Sequence, residues 1–197
     1  SNIICLEKYS KQQLTDILND RISLAFKPLK MPEDTARLVA ELGFSEGGNA
    51  RFAIELLWRA GKYADAEELD AVTPECVRRA VSSIIPTVQK SELASLSRHE
   101  KLFLLAIARL FKENQQACIS LAESEQAYAV VCEEFNTQKH SHTQLWKYLQ
   151  NLAVLGIVRT EVSATGSRGR STLIFLPRIS AEQLEKESSA LLEKEEA

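Results

Sequence analysis

Residues 141–176 read SHTQLWKYLQNLAVLGIVRTEVSATGSRGRSTLIFL, and the fold turns on how this stretch changes character. Leu145, Tyr148, Leu149 and Leu152 recur at helical spacing, and Gly156 supplies the stop. Residues 157–163 and 172–176 then alternate as the two strands of a hairpin. Between them stand Gly166, Arg168, Gly169 and Arg170, a basic loop loosened by glycine. Upstream, Ser97-Arg98-His99-Glu100 has the S-x-x-E form of a capping box and opens an apolar helix through Phe111. A short extended piece at 117–120 precedes a helix over 122–135, and Ser141-His142-Thr143-Gln144 repeats the capping form. Helix, short strand, helix, helix, hairpin is the order of a winged helix-turn-helix. The helix after Ser141 is then the recognition helix, and the Gly/Arg loop is the wing.

The preceding half is helical. Residues 3–6 (IICL) look like the end of a strand, and the leading Ser1-Asn2 reads as a cloning remnant on an excised fragment. Ser10 caps a helix carrying Leu14, Ile17, Leu18, Ile22 and Phe26. Pro28 and Pro32 bracket a loop. A second helix is expected from Glu33 to Gly43, and a third from Gly48 to Gly61 with Ala50, Ala53, Ile54, Leu57 and Trp58 turned inward. Thr73-Pro74 starts a fourth, with proline at the first helical position. Pro86 ends it, so residues 86–92 form the junction between domains. No internal repeat is present.

Composition bounds the function. The chain has 197 residues, 45% hydrophobic, with a net charge of −3, so it is no general polyanion binder. The charge is uneven, however. Residues 139–178 hold six basic side chains (Lys139, Lys147, Arg159, Arg168, Arg170, Arg178) against one acid, Glu161, while residues 179–197 hold two against six. A basic patch on an acidic protein is the footprint of a nucleic-acid face. Cys5, Cys76, Cys118 and Cys132 form no CxxC and sit among apolar neighbours, which suits free thiols in a reducing compartment. The three histidines pair with no cysteine at zinc spacing, and no run approaches a membrane span. The chain reads as cytoplasmic, chromosome-associated and free of membrane contact.

With the Leu145/Leu149/Leu152 face inward, Thr143, Lys147 and Gln150 point outward and Gln144 flanks them. His140 and His142 stand at the positive end of the helix. Such side chains suit base-edge reading in a major groove, and Arg168, Gly169 and Arg170 suit a phosphate backbone or a minor groove. The first half offers Gly47-Gly48-Asn49-Ala50-Arg51, which places an arginine in the first turn of a helix, where the dipole already favours an anion.

Longer segments carry a resemblance. EKYSKQQLTDILNDRISLAF, EGGNARFAIELLWRAGKYAD and TPECVRRAV resemble the lid subdomain of the origin-recognition type of AAA+ ATPases. HEKLFLLAIARL, EQAYAVVCEEF and LQNLAVLGIVRTEVSATGSRGRSTLIFL are similar to that family's C-terminal winged helix, the archaeal replication initiators above all. The resemblance covers residues 3–178. It implies that Arg51, in GNAR, is the second-sensor arginine that reaches the nucleotide's terminal phosphate, and that Tyr9 lies near the adenine. The sequence holds no G-x-x-x-x-G-K-[ST] and no acidic metal-binding strand, both of which belong to the family's preceding base subdomain. Leu96-Ser97-Arg98 stands where the family usually has a proline-containing turn. His140 and His142 fill the turn before the recognition helix, so base preference does not transfer.

These readings combine into a mainly α chain: a helical AAA+ lid over 1–88, a winged-helix DNA-binding domain with a short β-hairpin wing over 89–178, and an acidic, frayed helical tail over 179–197. The implied role is duplex origin binding and ATP sensing in a replication initiator that supports helicase loading, with the replicative helicase and other initiator subunits as partners. ATP or ADP and magnesium belong to the intact protein, and this fragment alone is expected to bind none and to be no enzyme. The alternatives are a winged-helix protein-interaction scaffold and a transcriptional regulator.

Overall fold

The computed structural model of the chain describes residues 7–84, 90–163 and 171–196. It divides into two compact units, Ser1–Ala80 and Val81–Ala197. The first is helical, with α1 (Lys11–Ala25), α2 (Glu33–Ser45), α3 (Ala50–Ala66) and most of α4 (Pro74–Ile84). Ser10 and Gln13 form a complete capping box on α1, and Asn49 caps α3 through the Phe52 N–H at 3.0 Å. Leu14, Leu18, Val39, Ala53, Leu56 and Ala60 are buried, and the Thr35 hydroxyl donates to the Val72 carbonyl at 3.1 Å inside that core.

Three expectations for this unit are corrected. Gly43 does not end α2, which runs two residues further, and Gly61 lies inside α3, which runs to Ala66. Both are close-approach positions: a Cβ at Gly43 would stand 2.7 Å from the Ala53 Cβ, and one at Gly61 3.0 Å from the Phe26 ring. Trp58 is 59% exposed rather than inward, because Leu56 and Leu57 take the core-facing positions of that turn.

The second unit contains α5 (Lys90–Ala94), α6 (Arg98–Asn114), β1 (Ile119–Ser120), α7 (Leu121–Glu134), α8 (His142–Val154), β2 (Arg159–Val162), β3 (Thr172–Phe175) and α9 (Ala181–Glu196). The strands form an antiparallel sheet in the order β1-β3-β2, with Ile119 opposite Ile174 and Arg159 opposite Phe175. Ser97 with Glu100, and Ser120 with Glu123, complete capping boxes on α6 and α7. Ser141 has the extended backbone of an N-cap but makes no side-chain cap bond, so the second box expected from sequence is absent. Part of the expected junction is helical, since α5 occupies its end and buries Leu93. The strand-like residues 3–6, with Cys5, and Pro86 in the junction lie outside the described residues.

The acidic tail is not frayed. Ala181, Leu184, Ser188 and Leu192 of α9 are buried, and the helix packs on α6. Its glutamates meet the cations of α6: Lys112 pairs with Glu185 at 2.7 Å, Arg109 stands 3.6 Å from Glu185, and Lys101 pairs with Glu195. The acidity that reads as solvated matches a basic stripe on the helix beneath.

Leu184→Ala and Leu192→Ala should each destabilise this unit by about 2–4 kcal/mol, the usual cost of emptying a buried leucine site. Glu193→Ala, on the exposed side, should stay within about 0.5 kcal/mol. Urea unfolding followed by circular dichroism checks both, and equal small effects would restore the surface-tail reading.

Candidate functional site

Helix α8 is held by its inner face. Leu145, Tyr148, Leu149 and Leu152 are buried in the core of the second unit. Asn151 adds a directional tie, donating to Glu100 of α6 at 2.6 Å. Burial alone would push the Glu100 carboxyl up, but bonds from Ser97 and Asn151 outweigh it and hold the group below the usual carboxylate range. Thr143, Lys147 and Gln150 consequently face outward and are exposed, with Gln144 half-buried beside them. Among the described residues none of these four side chains makes a hydrogen bond or ion pair. Trp146 is 39% exposed and Val154 85%, so this helix also carries apolar surface that the helical-wheel reading passed over.

The two histidines at the start of α8 are already engaged. The His140 ring stacks on His99 of α6 at 3.6 Å between centroids, and its Nδ1 lies 2.7 Å from the Tyr148 hydroxyl. His142 meets Glu125 of α7 at 2.8 Å, which places a carboxylate beside a residue expected to face DNA. The wing residues Gly166, Arg168, Gly169 and Arg170 lie outside the described residues. The base of their loop is closed by the Ser163 N–H on the Ser171 carbonyl at 2.8 Å. Of the six basic side chains counted from sequence, Arg159 is turned onto the sheet. Its guanidinium lies 4.6 Å from the Phe175 ring centroid and 3.2 Å from Glu161.

In the first unit the structure brings Tyr9 and the GGNAR segment together. Gly47 and Gly48 have φ of 77° and 71°, and a Cβ at Gly48 would stand 2.5 Å from the Tyr9 carbonyl oxygen. Arg51 is exposed at the second residue of α3, and Tyr9 is 45% exposed. Lys8, unremarked from sequence, lines the same turn with its Nζ 3.6 Å from a Cβ built at Gly47. The signal that could have found it is its adjacency to Tyr9. Two cations and an aromatic ring at a helix start can take an anion through charge-assisted hydrogen bonds and a ring through stacking. A cleft of about 730 Å³ in this unit, rimmed by Arg21, Lys27, Lys62 and Trp58, is lined by none of these three residues. No cluster of three or more histidines, cysteines or carboxylates among the described residues could hold a metal, and no described helix is long and apolar enough to cross a membrane.

Comparison with known proteins matches both units. Residues 15–82 fit the family described as the Cdc6 AAA+ ATPase-type lid domain, and residues 91–186 fit the CDC6 C-terminal winged-helix domain. The chain is 36% identical over 183 residues to ORC1-type DNA replication protein 2 of Sulfolobus acidocaldarius, covering 89% of this chain and 44% of that protein. The crystal structure of Cdc6p from Pyrobaculum aerophilum is similar over 96% of this chain and 50% of its own, at 31% identity and a TM-score of 0.81. The Aeropyrum pernix ORC2 protein, solved as ADPNP–ADP complexes, matches 97% of this chain and 48% of its own at 28% identity and a TM-score of 0.50. The chain thus spans about half the length of the relatives it matches.

Gly48→Ala should destabilise the first unit by about 1–3 kcal/mol, since it combines a left-handed backbone with a clash against Tyr9. Arg51→Ala should change stability by less than about 0.5 kcal/mol, being an exposed side chain. Urea midpoints compare the two, and a neutral Gly48→Ala would remove the link between Tyr9 and this turn.

Proposed function

We propose, for a chain that belongs to the Cdc6 family through both its lid and its winged-helix domain, that it is the DNA-binding and nucleotide-sensing part of a replication initiator. The winged helix binds duplex origin DNA. Helix α8 enters the major groove, where Thr143, Gln144 and Gln150 meet base edges and Lys147 meets base or phosphate. Arg168, Gly169 and Arg170 of the wing follow the backbone, and His142 stands at the helix start. The observation that carries this reading is the outer face of α8, where polar side chains able to donate and accept are aligned and uncommitted. The names of the relatives, ORC1-type DNA replication proteins, support it.

The lid reads the nucleotide. Arg51 reaches a terminal phosphate, Tyr9 approaches the base, and Lys8 adds a second cation. The ADPNP–ADP complexes of the Aeropyrum pernix relative support a nucleotide in the longer protein. The residues here fit that group at one end only, because the sequence lacks G-x-x-x-x-G-K-[ST] and the described residues hold no metal-binding cluster. Magnesium and the phosphate cradle are therefore assigned to the remainder of the longer protein, and this chain alone hydrolyses no ATP. Through the lid, nucleotide state sets the DNA-bound geometry that loads the replicative helicase with other initiator subunits.

Charge reversal at Arg168 and Arg170, or Lys147→Ala, should weaken binding to every duplex and flatten the log–log salt slope by about one unit per lost phosphate contact. Thr143→Ala and Gln150→Ala should instead alter preference among sequences, by about 1–3 kcal/mol per base contact. Fluorescence anisotropy over a salt series separates the two, and salt-independent binding would favour a protein-docking role. In a protein extended to the length of its relatives, Arg51→Ala should impair nucleotide turnover or its coupling to DNA binding. Wild-type behaviour in both assays would reduce GGNAR to a helix start.

A further inference from the structure

Four residues from four segments converge where α8 begins. His99 is in the first turn of α6, Tyr128 on α7, His140 in the turn, and Tyr148 on α8. The Tyr128 hydroxyl accepts from the His140 backbone N–H at 3.3 Å and lies 2.7 Å from His99 Nδ1. The His99 bond can be made in two ways: the phenol donates to a bare Nδ1, or an Nδ1–H donates to the phenol oxygen while the phenol proton turns to the Cys132 thiol. Burial and the Cys132 thiol hold the Tyr128 phenol protonated far above its usual range, so it remains a donor. Tyr128 is itself locked edge-on against Phe103, 5.8 Å between centroids. The second arm runs from the His140 ring, stacked on His99, through Nδ1 to the Tyr148 hydroxyl.

We infer that His99, Tyr128 and Tyr148 are positioning residues for DNA reading: with His140 they form a clamp that sets the start of the recognition helix, and that holds only while at least one of the two stacked imidazoles is neutral. The inference rests on the DNA-reading role proposed for α8. A proton on His99 obliges its Nδ1 to donate, so that only one of the two arrangements with Tyr128 remains. With both rings charged, two imidazolium faces would stand 3.6 Å apart. The surroundings do not compensate. Arg98 on α6 and Lys139 in the turn are cationic, Tyr128 and Cys132 on α7 are neutral, and α8 supplies the Tyr148 hydroxyl. The nearby carboxylates are committed elsewhere, Glu125 to His142 and Glu100 to Ser97 and Asn151.

The direction of the pH effect follows. Burial, then His140, then Arg98 push His99 below its ordinary value of 6.5. A base whose folded value is depressed stabilises the clamp fully above 6.5, and that contribution is lost as pH falls through the lower, folded value. Specific reading should therefore weaken on acidification, even as added positive charge strengthens non-specific binding to phosphate.

The test uses the whole chain in two arms. In the DNA-free protein, NMR titration of the imidazole Cε1–H resonances, only three in number and assigned through His142→Gln, should show His99 protonating below 6.5. That step should move up in His140→Asn. Titration of His99 at one pH with and without His140 overturns the clamp. In the second arm, a duplex selected from a randomised pool at about pH 7.5 is compared with a random duplex. The affinity ratio should fall about tenfold by about pH 5.5 with unchanged far-UV circular dichroism, a shift the size of one base contact. It should stay level in His99→Asn. A ratio that holds or widens in the wild type, or that falls equally in His99→Asn, overturns the inference. Absence of duplex binding at the higher pH overturns the DNA reading itself, while the imidazole titration still decides the stack.

Discussion

Helix α6 has no side to spare for solvent across its middle. Leu102, Phe103, Leu104, Leu105, Ala106, Ile107 and Ala108 are consecutive and each at most 1% exposed. An all-round apolar helix has to be covered on every face, and the rest of the second unit is what covers it. Helix α7 packs on one side, α8 on another, the small sheet brings Ile119 and Ile174, and α9 closes the remainder with Leu184 and Leu192. Helix α8 is thus one wall of a core whose centre is α6. Its exposed face is what remains once Leu145, Leu149 and Leu152 have been spent on that wall.

The same constraint explains which parts of the fold were legible. Capping signals at Ser10 and Ser97 act over three residues, so the sequence alone reveals them, and the structure has both boxes. Gly43 and Gly61 look like stops because glycine is a poor helix former. Their actual role depends on Ala53 and Phe26, which no local window contains. Trp58 misleads for a related reason, since apolar character alone does not say which side of α3 the core occupies. For α9, composition pointed to solvent because the cations that answer its glutamates, Lys101, Arg109 and Lys112, lie about seventy to ninety residues earlier. Long-range complementarity of charge is invisible to a reading of composition by segment.

The candidate site divides in the same way. Thr143, Lys147 and Gln150 could be placed outward because one helical period determines them. The commitments of His140, His142 and Arg159 could not be foreseen, because their partners, His99, Glu125 and Phe175, come from other elements. Counting six cations near the wing overstates the charge available to a phosphate backbone, as Arg159 lies on an aromatic ring beside Glu161. The contact between Tyr9 and the GGNAR turn was equally out of reach, because it joins distant parts of the chain through the Tyr9 backbone at Gly48.

Apolar packing is tolerant of small rotations, because dispersion contacts are shallow and non-directional. A helix that reads base edges needs its side chains held to a tighter rotation about its axis than leucines alone impose. Helix α8 carries two directional ties, three residues apart: Tyr148 to His140 at 2.7 Å and Asn151 to Glu100 at 2.6 Å. Glu100 is anchored by its own capping box on α6, and His140 by its stack on the residue just before Glu100. Both ties therefore end on the first turn of the most buried helix in the unit. Rotation of α8 in either direction would stretch at least one of them, and the outward-facing row of Thr143, Lys147 and Gln150 inherits its alignment from that turn.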